Sequence, residues 1–281
     1  MINFKPGFIL LDKEIGISSA KVLYPIKKLM PKGQKVGHAG TLDPFASGLL
    51  VVAVGKATKA LQYVVGMSKT YEFTVKWGEA TDTDDLTGKT INQSTNIPSL
   101  DNILNVIDEF HGVMQQQPPK YSAIHVNGKR AYDLARDGIE FTLERREVNI
   151  INLSVIHHKN EYTTFVMECG KGCYVRSVAN DIASKLNTYG HVTCLRRTKI
   201  GHFSVDESSM NIIPILDVLR EYHREIVSDT IAKKIINGAV LKLTDLFFPN
   251  HPSLFIIENL NENLIALCNR IDGELSIHRI T

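Results

Sequence analysis

Apolar residues along this chain follow two periods, one typical of strands and one typical of helices. Between residues 71 and 77, large apolar side chains occupy every second position, which predicts a strand with one buried face. Further strands are predicted at residues 7–13, 49–54, 148–155 and 163–169. Apolar side chains recur at helical spacing at residues 18–30, 99–107 and 175–186.

The order of these elements indicates the fold class. Strands and helices do not alternate regularly, which favours an α+β fold with a mixed, largely antiparallel sheet and flanking helices. Residues 113–130 contain a proline pair and a glycine, and we expect a long polar loop that runs into a short helix at residues 131–137. Residues 228–281 begin with a helical segment followed by short strands, which predicts a small β-rich domain after a larger domain of residues 1–227.

Composition excludes several classes of protein. The 281 residues are 43% hydrophobic and 22% charged, which is enough to bury a full-sized core. The longest uninterrupted apolar run, residues 49–54, is too short for a membrane span or a secretory signal, so we expect a cytoplasmic protein. Four cysteines in a chain of this length indicate reduced thiols rather than a disulfide framework, and Cys169 and Cys173 lack a second ligand pair at zinc spacing.

Charge is distributed unevenly, although the formal net charge is only +2. Residues 1–76 carry 11 basic and 4 acidic side chains and residues 171–202 carry 6 and 1, whereas the other two stretches are acidic. Such asymmetry is typical of a protein that holds a polyanion on one surface. Ordinary solvated surface charge explains the pattern equally well.

Residues 37–48, GHAGTLDPFASG, form the first candidate site. Its glycines permit close backbone approach or positive φ, and Pro44 biases Asp43 toward an extended or turn conformation. A carboxylate is thereby held on a stiff loop, with His38 as its titrating neighbour in the sequence. The alternative is that Asp43 only forms an Asx-type turn before Pro44.

Residues 171–176, KGCYVR, form a second candidate site between a predicted strand and a predicted helix. Arg176 lies at the helix start, where a cation is unfavourable unless an anion is close. A carboxylate, a phosphate or a surface acid would each satisfy this requirement. The acidic sequence TDTDDLTG at residues 81–88 lacks the ligand set of a calcium loop, and we interpret it as a turn. These residues alone indicate a nucleic-acid or phosphate binder and do not specify a reaction.

Several segments, in order along residues 7–203, together resemble a known family. They are LLDKEIGISS, GHAGTLDPFASGLL, KTYEFTVKWG, TDTDDLTG, PPKYSAIHVNGKRAYDLAR, CGKGCYVRSVANDIA and LRRTKIGHF. Their joint occurrence resembles the TruB family of bacterial tRNA pseudouridine synthases, which modify the T-loop uridine. The resemblance implies a pseudouridine synthase domain at residues 1–227, a short and divergent PUA-like RNA-binding domain at residues 228–281, the T-arm stem-loop of tRNA as partner, and no cofactor or metal.

The resemblance also implies three catalytic residues. Asp43 corresponds to the aspartate that attacks the nucleoside, after which the glycosidic bond breaks and the uracil reattaches through its C5 carbon. Tyr71 corresponds to the tyrosine that stacks on the uracil and helps to remove the C5 proton, although its strand neighbours also fit a core aromatic residue. Arg176 corresponds to the arginine that pairs with the aspartate and keeps it ionised.

Other residues are assigned by the resemblance to substrate binding. His38 corresponds to the histidine that contacts RNA near the flipped nucleotide, and Lys13 to the lysine that supports the active-site loop. Tyr174 and Leu195 correspond to positions that line the nucleotide pocket. Arg196 and Arg197 are expected to meet RNA phosphates, and Lys129 and Arg130 are expected to bind RNA as part of a basic clamp. Residues 115–137 correspond to an insertion that closes over the T arm, named the thumb-like segment below, and its basic residues predict salt-sensitive RNA binding.

Two departures from the family pattern bear on these expectations. Glu14 stands where the family usually has proline, which predicts a less stiff loop after Lys13 and weaker support of Asp43. Residues 228–281 match the family poorly and are short, so their role in tRNA affinity is not specified by the resemblance.

Two other functions stay open at this point. One is an RNA-folding chaperone that binds tRNA without chemistry and does not depend on the carboxylate of Asp43. The other is a catalytic subunit that needs a guide RNA, but the thumb-like segment, which such relatives lack, argues against it. We expect a monomer that acts without a guide RNA or an obligate protein partner.

Overall fold

The computed structural model describes residues 5–237, 254–261, 264–271 and 274–279. Ten strands of these residues form one large sheet: β1 (Gly7–Lys13), β2 (Val36–Ala39), β3 (Ser47–Val54), β4 (Lys69–Trp77), β7 (Gly112–Gln116), β10 (Arg146–Lys159), β11 (Tyr162–Cys169), β12 (Gly190–Ile200), β13 (Phe203–Ser204) and β14 (Ser209–Ile213). The other strands form smaller sheets: β5 (Glu79–Thr81), β6 (Thr90–Gln93), β8 (His125–Val126), β9 (Lys129–Arg130), β15 (His223–Val227), β16 (Leu254–Asn259), β17 (Leu264–Ile271) and β18 (Glu274–Arg279). The α-helices are α1 (Ser19–Leu29), α2 (Leu61–Gly66), α3 (Leu100–Ile107), α4 (Ala131–Arg136), α5 (Val175–Lys185), α6 (Ile215–Val218) and α7 (Asp229–Ile236).

The large sheet has the strand order β14-β1-β3-β12-β4-β11-β10-β7, with β2 beside β3 and β13 beside β12. Its neighbouring strands are antiparallel except β3 and β12, which run parallel. The predicted α+β fold with a mixed, largely antiparallel sheet is therefore confirmed. The parallel contact pairs Gly48 at the start of β3 with Arg197 of β12, and so joins the end of the Asp43 loop to the middle of the sheet.

Local sequence signals explain the helix starts and the apolar strand. The Ser18 hydroxyl caps α1 by accepting a hydrogen bond from the backbone N–H of Lys21, and Ser99 forms a reciprocal capping box at α3. The run of residues 49–54 is apolar at every position because both faces of β3 are covered. Leu50 packs beneath α1, whereas Leu49 packs on the opposite face of the sheet.

The predicted loop at residues 113–130 is wrong in its first part. Residues Gly112–Gln116 form β7, an edge strand that pairs with β10. The sequence of this strand, GVMQQ, does not alternate apolar and polar residues, so pairing with β10 decides its conformation. The remainder of the thumb-like segment contains the short hairpin of β8 and β9 and then α4, close to the predicted helix.

The C-terminal residues form a separate four-stranded sheet of order β15-β16-β17-β18. Its first strand, His223–Val227, precedes the predicted boundary at residue 228, so that boundary falls after the first strand of this sheet. Ile256 and Leu267 of this sheet pack into the core formed by β1, β3 and α2. Within the described residues, no helix is long and apolar enough to cross a membrane.

Candidate active site

The loop that carries Asp43 connects β2 to β3, and two side chains hold it by hydrogen bonds. The Ser19 hydroxyl donates to the carbonyl oxygen of Leu42 and accepts from its N–H, each at 2.9 Å. The buried Lys13 ammonium donates to the carbonyl oxygen of Ile17 at 2.8 Å and to that of Pro44 at 3.5 Å. A loop secured on both sides of Asp43 keeps the carboxylate in one place.

Hydrogen bonds support the segment after Lys13, which begins with Glu14. Its carbonyl oxygen accepts a hydrogen bond from the Lys13 ammonium at 2.9 Å, and the backbone N–H of Gly16 donates to the carbonyl oxygen of Pro44 at 2.7 Å. Burial lowers the pKa of Lys13, while the carboxylate of Asp43 opposes that decrease. Lys13 thus connects the end of β1 to the Asp43 loop through backbone carbonyls, as a supporting rather than a substrate-facing group.

Asp43 and Arg176 form an ion pair with 2.9 Å between Oδ2 and Nη2. Arg176 is only 3% exposed, whereas the side chain of Asp43 keeps 34% of its surface accessible. The guanidinium also donates to the carbonyl oxygens of Thr83 at 2.9 Å and Tyr121 at 3.0 Å. The arrangement leaves Asp43 as the accessible member of the pair and Arg176 as its buried support.

A second carboxylate, that of Asp85, lies close to the guanidinium of Arg176. Its Oδ2 is 3.7 Å from Nη1 of Arg176, and its side chain is almost fully buried. Its Oδ1 accepts hydrogen bonds from the hydroxyls of Thr83 and Thr87 and from the Thr87 N–H, at 2.6 to 2.9 Å. The sequence analysis interpreted this acidic stretch only as a turn; the Thr-Asp alternation that produces these bonds was the available signal.

Desolvation raises the pKa of Asp43, and the adjacent Arg176 opposes the rise while Asp85 adds to it. We expected Arg176 to favour the ionised form of Asp43. Arg176 does act to lower the pKa of Asp43, but burial raises this pKa by a larger amount. For His38, burial and the positive charge of Arg197 both lower the pKa, which favours the neutral imidazole. Its Nδ1 is buried and has no hydrogen-bond partner among the described residues.

A cavity of about 710 Å³ opens above the ion pair. Its walls come from the start of α1, the Asp43 loop, the acidic turn and the thumb-like segment. The lining residues are Ser18, Ser19, Ala20, His38, Thr41, Leu42, Asp43, Pro44, Phe45, Thr83, Asp85, Thr87, Tyr121, Ser122, Ala123, Arg130, Tyr132, Arg136 and Arg176. Of the predicted site residues, Asp43, His38, Arg130 and Arg176 therefore share one cavity. Tyr121, Tyr132 and Arg136 were not predicted, although Tyr132 and Arg136 lie one helical turn apart in the predicted helix.

Other predicted residues lie away from this lining. Tyr71 on β4 packs against the main hydrophobic core and lies opposite Arg197 of β12. Burial raises the pKa of Tyr71, and the positive charge of Arg197 opposes this rise. Leu195 is 6% exposed and belongs to the same core. Tyr174 precedes α5, and the guanidinium of Arg146 lies 4.6 Å from the centre of its ring. Lys129 is exposed on the hairpin beside Arg130.

The expectation that Arg197 meets RNA phosphates is wrong. Its side chain is 1% exposed, and its guanidinium donates to the carbonyl oxygens of Leu49 and Gly40, both at 2.8 Å. Arg196, the next residue on the strand, extends to the opposite face and forms a two-point ion pair with Asp12. Because successive side chains of a strand point to opposite faces, only one of two adjacent arginines can reach a given surface.

Comparison with known proteins identifies the family. Residues 27–175 match the model of the TruB family pseudouridylate synthase N-terminal domain. Over 98% of both chains, this chain is 37% identical to tRNA pseudouridine synthase B of Ehrlichia chaffeensis, and it is 40% identical to the protein of the same name from Ehrlichia ruminantium over 94% of this chain and 95% of that one.

Solved structures share the fold. A Cbf5-Nop10-Gar1 complex contains a chain that matches 97% of this one, and 83% of its own length, with a TM-score of 0.71 and 24% identity. An archaeal box H/ACA Nop10-Cbf5 complex matches 97% of this chain and 84% of its own with a TM-score of 0.70 and 21% identity. At this identity, the likeness shows a common fold. The sequence matches along most of the chain establish more, and this chain belongs to the TruB family of pseudouridylate synthases.

Proposed function

We propose that this chain converts the T-loop uridine at position 55 of tRNA into pseudouridine, without a cofactor. Its family and the names of its relatives support pseudouridylation of tRNA. One observation carries the proposal: an accessible carboxylate, Asp43, is held by the buried Arg176 at a cavity lined by aromatic and basic side chains. An anionic substrate with a planar base suits such a lining.

Asp43 is the nucleophile in this proposal. Its carboxylate attacks the target nucleoside at the base or at the anomeric carbon of the sugar, and the glycosidic bond to N1 breaks. The uracil then turns and bonds to the sugar through C5, the C5 proton passes to water, N1 takes up a proton, and the bond to the carboxylate breaks. The reaction rearranges bonds within one nucleoside, so atoms and electrons balance without a further reactant.

Arg176 has two carboxylate partners, which suits a reaction in which one of them is used. When Asp43 forms a covalent bond, it loses its negative charge. The carboxylate of Asp85 still lies next to the guanidinium, so the buried Arg176 keeps a partner throughout. We propose that Arg176 orients Asp43 and that Asp85 maintains Arg176.

In the proposal, Tyr71 contacts the uracil ring rather than the ribose. A raised pKa keeps its phenol protonated at neutral pH, which suits stacking on a uracil better than abstraction of a proton. Tyr71 of β4 lies opposite Arg197 of β12, and Arg197 donates a hydrogen bond to the carbonyl oxygen of Gly40. Tyr71 is thus coupled to the loop of the nucleophile.

The target base must leave its stack before Asp43 can reach it. In the proposal, neutral His38 occupies the space that the base vacates, and the thumb-like segment closes over the RNA with Lys129, Arg130 and Arg136. Because such contacts neutralise phosphates, affinity for tRNA should fall steeply as salt is added.

The test measures tritium release from a tRNA transcript labelled with [5-³H]uridine, with no guide RNA or other protein present. We expect release by the wild type and by Asp101→Asn, which changes an exposed carboxylate on α3, and none above background by Asp43→Asn. A transcript with cytidine at the target position tests the site of reaction and should release nothing. Binding of each RNA is measured in parallel.

The outcomes separate the functions. Release by the wild type with binding by Asp43→Asn supports the isomerase. Binding by both proteins without release by either would exclude the reaction on this RNA and leave a tRNA-folding chaperone. Release that appears only after a guide RNA is added would contradict action without a guide.

A further inference from the structure

Gln116, the last residue of β7, is fully buried at the root of the thumb-like segment. Both polar atoms of its side chain bind the backbone of one distant residue, Tyr174. Nε2 donates to the carbonyl oxygen of Tyr174 at 3.1 Å, and the N–H of Tyr174 donates to Oε1 at 2.8 Å. An amide that satisfies both backbone groups of one residue fixes that residue as a neighbouring strand would.

The residue that Gln116 holds is the one from which α5 begins. Ser, Thr, Asp and Asn start helices well because their side chains accept a first-turn N–H. Tyr174 has no such acceptor and makes no side-chain capping bond. Gln116 does not replace that acceptor; it fixes the backbone of Tyr174 itself, whose carbonyl oxygen also accepts a hydrogen bond from the N–H of Val178 in α5.

Arg176 lies two residues beyond this point, in the first turn of α5. Its guanidinium must meet Asp43 and Asp85 at the same time, at 2.9 Å and 3.7 Å. A small rotation or shift of the helix start would displace this guanidinium from both carboxylates. A displacement of 1 Å in a catalytic arrangement costs about 100-fold in rate.

Two neighbouring hydrogen bonds tie the same two segments together. The hydroxyl of Ser177 donates to the carbonyl oxygen of Gln117 at 2.6 Å, and Arg176 donates to the carbonyl oxygen of Tyr121 at 3.0 Å. The first turn of α5 and the root of the thumb-like segment are thus one hydrogen-bonded unit. The segment that closes over RNA and the arginine that holds the nucleophile share a support.

We propose that Gln116 is a positioning residue: by holding the backbone of Tyr174, it sets the start of α5 and so places Arg176 between Asp43 and Asp85. Its effect on catalysis rests on the proposed function, whereas its effect on Arg176 does not. Gln116 does not line the cavity in the described part of the chain, and it acts only through Tyr174 and Arg176.

The first measurement uses the protein without RNA. Arginine side chains are labelled with ¹⁵N, and the signals of Arg176 are assigned by their loss in Arg176→Lys. We expect separate Nη–H signals, as from a held guanidinium, in the wild type and in Gln93→Leu, which changes an exposed glutamine on β6 outside the thumb-like segment. In Gln116→Leu these signals should broaden or merge. Unchanged signals would overturn the proposal.

The second measurement is the rate of tritium release under saturating enzyme. Gln116→Leu should lower the rate about 10- to 100-fold and change the Kd for tRNA by less than about threefold, while Gln93→Leu changes neither. In an Arg176→Lys background, Gln116→Leu should add less than about a further threefold loss. A full, multiplicative loss in that background would show that Gln116 does not act through Arg176, and would overturn the proposal.

Gln116→Glu serves as the conservative variant and carries both measurements if Gln116→Leu does not fold. Its carboxyl group has nearly the shape of the amide, and when protonated it can donate to the carbonyl oxygen of Tyr174 and accept from its N–H. Its rate relative to the wild type should therefore rise as the pH falls, and a constant ratio would count against the proposal. If the wild type releases no tritium, the proposed function fails, and the arginine signals still decide the role of Gln116.

Discussion

Arg176 is a buried cation in the first turn of a helix, where the helix dipole disfavours positive charge. Two carboxylates offset this: Asp43 meets Nη2 and Asp85 meets Nη1. Asp85 is itself fixed by hydrogen bonds from Thr83 and Thr87. The site is therefore a network of three charges in which the position of each depends on the others, and single substitutions should have effects beyond the group removed.

Asp85→Asn tests this network through the pH dependence of the proposed reaction. The negative charge of Asp85 contributes to the raised pKa of Asp43, so its removal should lower that pKa. Asp43 must be ionised to attack, and activity should fall as the pH drops through its pKa. We expect the acidic limb of the rate profile to move to lower pH, and the plateau rate to fall about 10-fold because Arg176 is held less firmly. Single-turnover rates between pH 5 and 8 check this.

Asp82→Asn is the control, because Asp82 lies in the same turn but accepts a hydrogen bond from the N–H of Lys89. It should leave the acidic limb in place. An unchanged profile in Asp85→Asn would show that the second carboxylate has no electrostatic effect on the nucleophile.

Asp84, beside this network, should make the protein less stable at neutral pH. Burial raises its pKa from 3.8 to about 6, with Arg176 opposing. Between these two values the folded protein binds more protons than the unfolded chain, so stability decreases as the pH rises through this window. Asp84→Asn should increase the free energy of unfolding by about 1–2 kcal/mol at pH 8, and the gain should vanish near pH 4.

Urea unfolding at pH 8, 6 and 4 measures that difference. Asn is compatible with the backbone at this position, where φ is +59°. Asp137→Asn, which changes an exposed carboxylate, should show no comparable gain. A gain for Asp84→Asn that is independent of pH would contradict the electrostatic explanation.

At the scale of elements, the contact between β3 and β12 places the Asp43 loop. Gly48 begins the apolar part of β3 with φ of +106°, and a Cβ atom there would lie 2.2 Å from the carbonyl oxygen of Arg197. Glycine thus allows the two backbones to approach closely where the strands run parallel. The same approach lets the side chain of Arg197 reach the carbonyl oxygens of Gly40 and Leu49.

Gly48→Ala should separate these strands and destabilise the protein by more than about 3 kcal/mol, or prevent folding. Gly33→Ala is the matched control, since Gly33 also has a positive φ, +91°, but has no atom within 4 Å of the added Cβ among the described residues. It should cost only about 1–2 kcal/mol. Thermal and urea unfolding of both variants compare the two, and equal losses would show that backbone conformation, rather than the contact with Arg197, decides the requirement for glycine.

At the scale of the whole molecule, the C-terminal sheet is attached to the main domain by a buried tyrosine. The hydroxyl of Tyr63 in α2 lies 2.7 Å from the carbonyl oxygen of Cys268 and 3.2 Å from that of Phe255. Tyr222, just before the C-terminal sheet, donates to the carbonyl oxygen of Tyr63. Apolar side chains of the C-terminal sheet complete the contact, so we expect the two sheets to move as one unit.

Tyr63→Phe removes the hydroxyl and with it the hydrogen bond that this group donates to the C-terminal sheet. The free energy of unfolding should fall by about 1–3 kcal/mol, and amide hydrogen exchange should accelerate in residues 254–259 and 264–271. Tyr24→Phe, which changes an exposed tyrosine on α1, should alter neither. Unchanged exchange in the C-terminal strands of Tyr63→Phe would show that apolar packing alone attaches this sheet.

Much of the fold was predictable because its signals are local. The strand at residues 71–77 and the helices at residues 18–30 and 99–107 follow from apolar spacing and from caps such as Ser18 and Ser99. β7 was missed because its sequence, GVMQQ, lacks a strand alternation, and the segment is a strand through its pairing with β10. Asp43 and Arg176 were identified as candidates, since an Asp-Pro turn and a cation at a helix start are both visible within a few residues.

The sequence by itself therefore determined several of the strands and helices, the fold class, the family and the two charged residues at the centre of the site. Only the tertiary structure decided the further contacts: that Arg176 also binds Asp85, that Arg197 is buried instead of facing RNA, and that Gln116 holds a backbone 58 positions away. Periodicity and capping act over one or two turns of chain, whereas these contacts depend on which strands lie side by side. Strand order brings β3, β7 and β12 to their neighbours, and no short stretch of sequence contains that order.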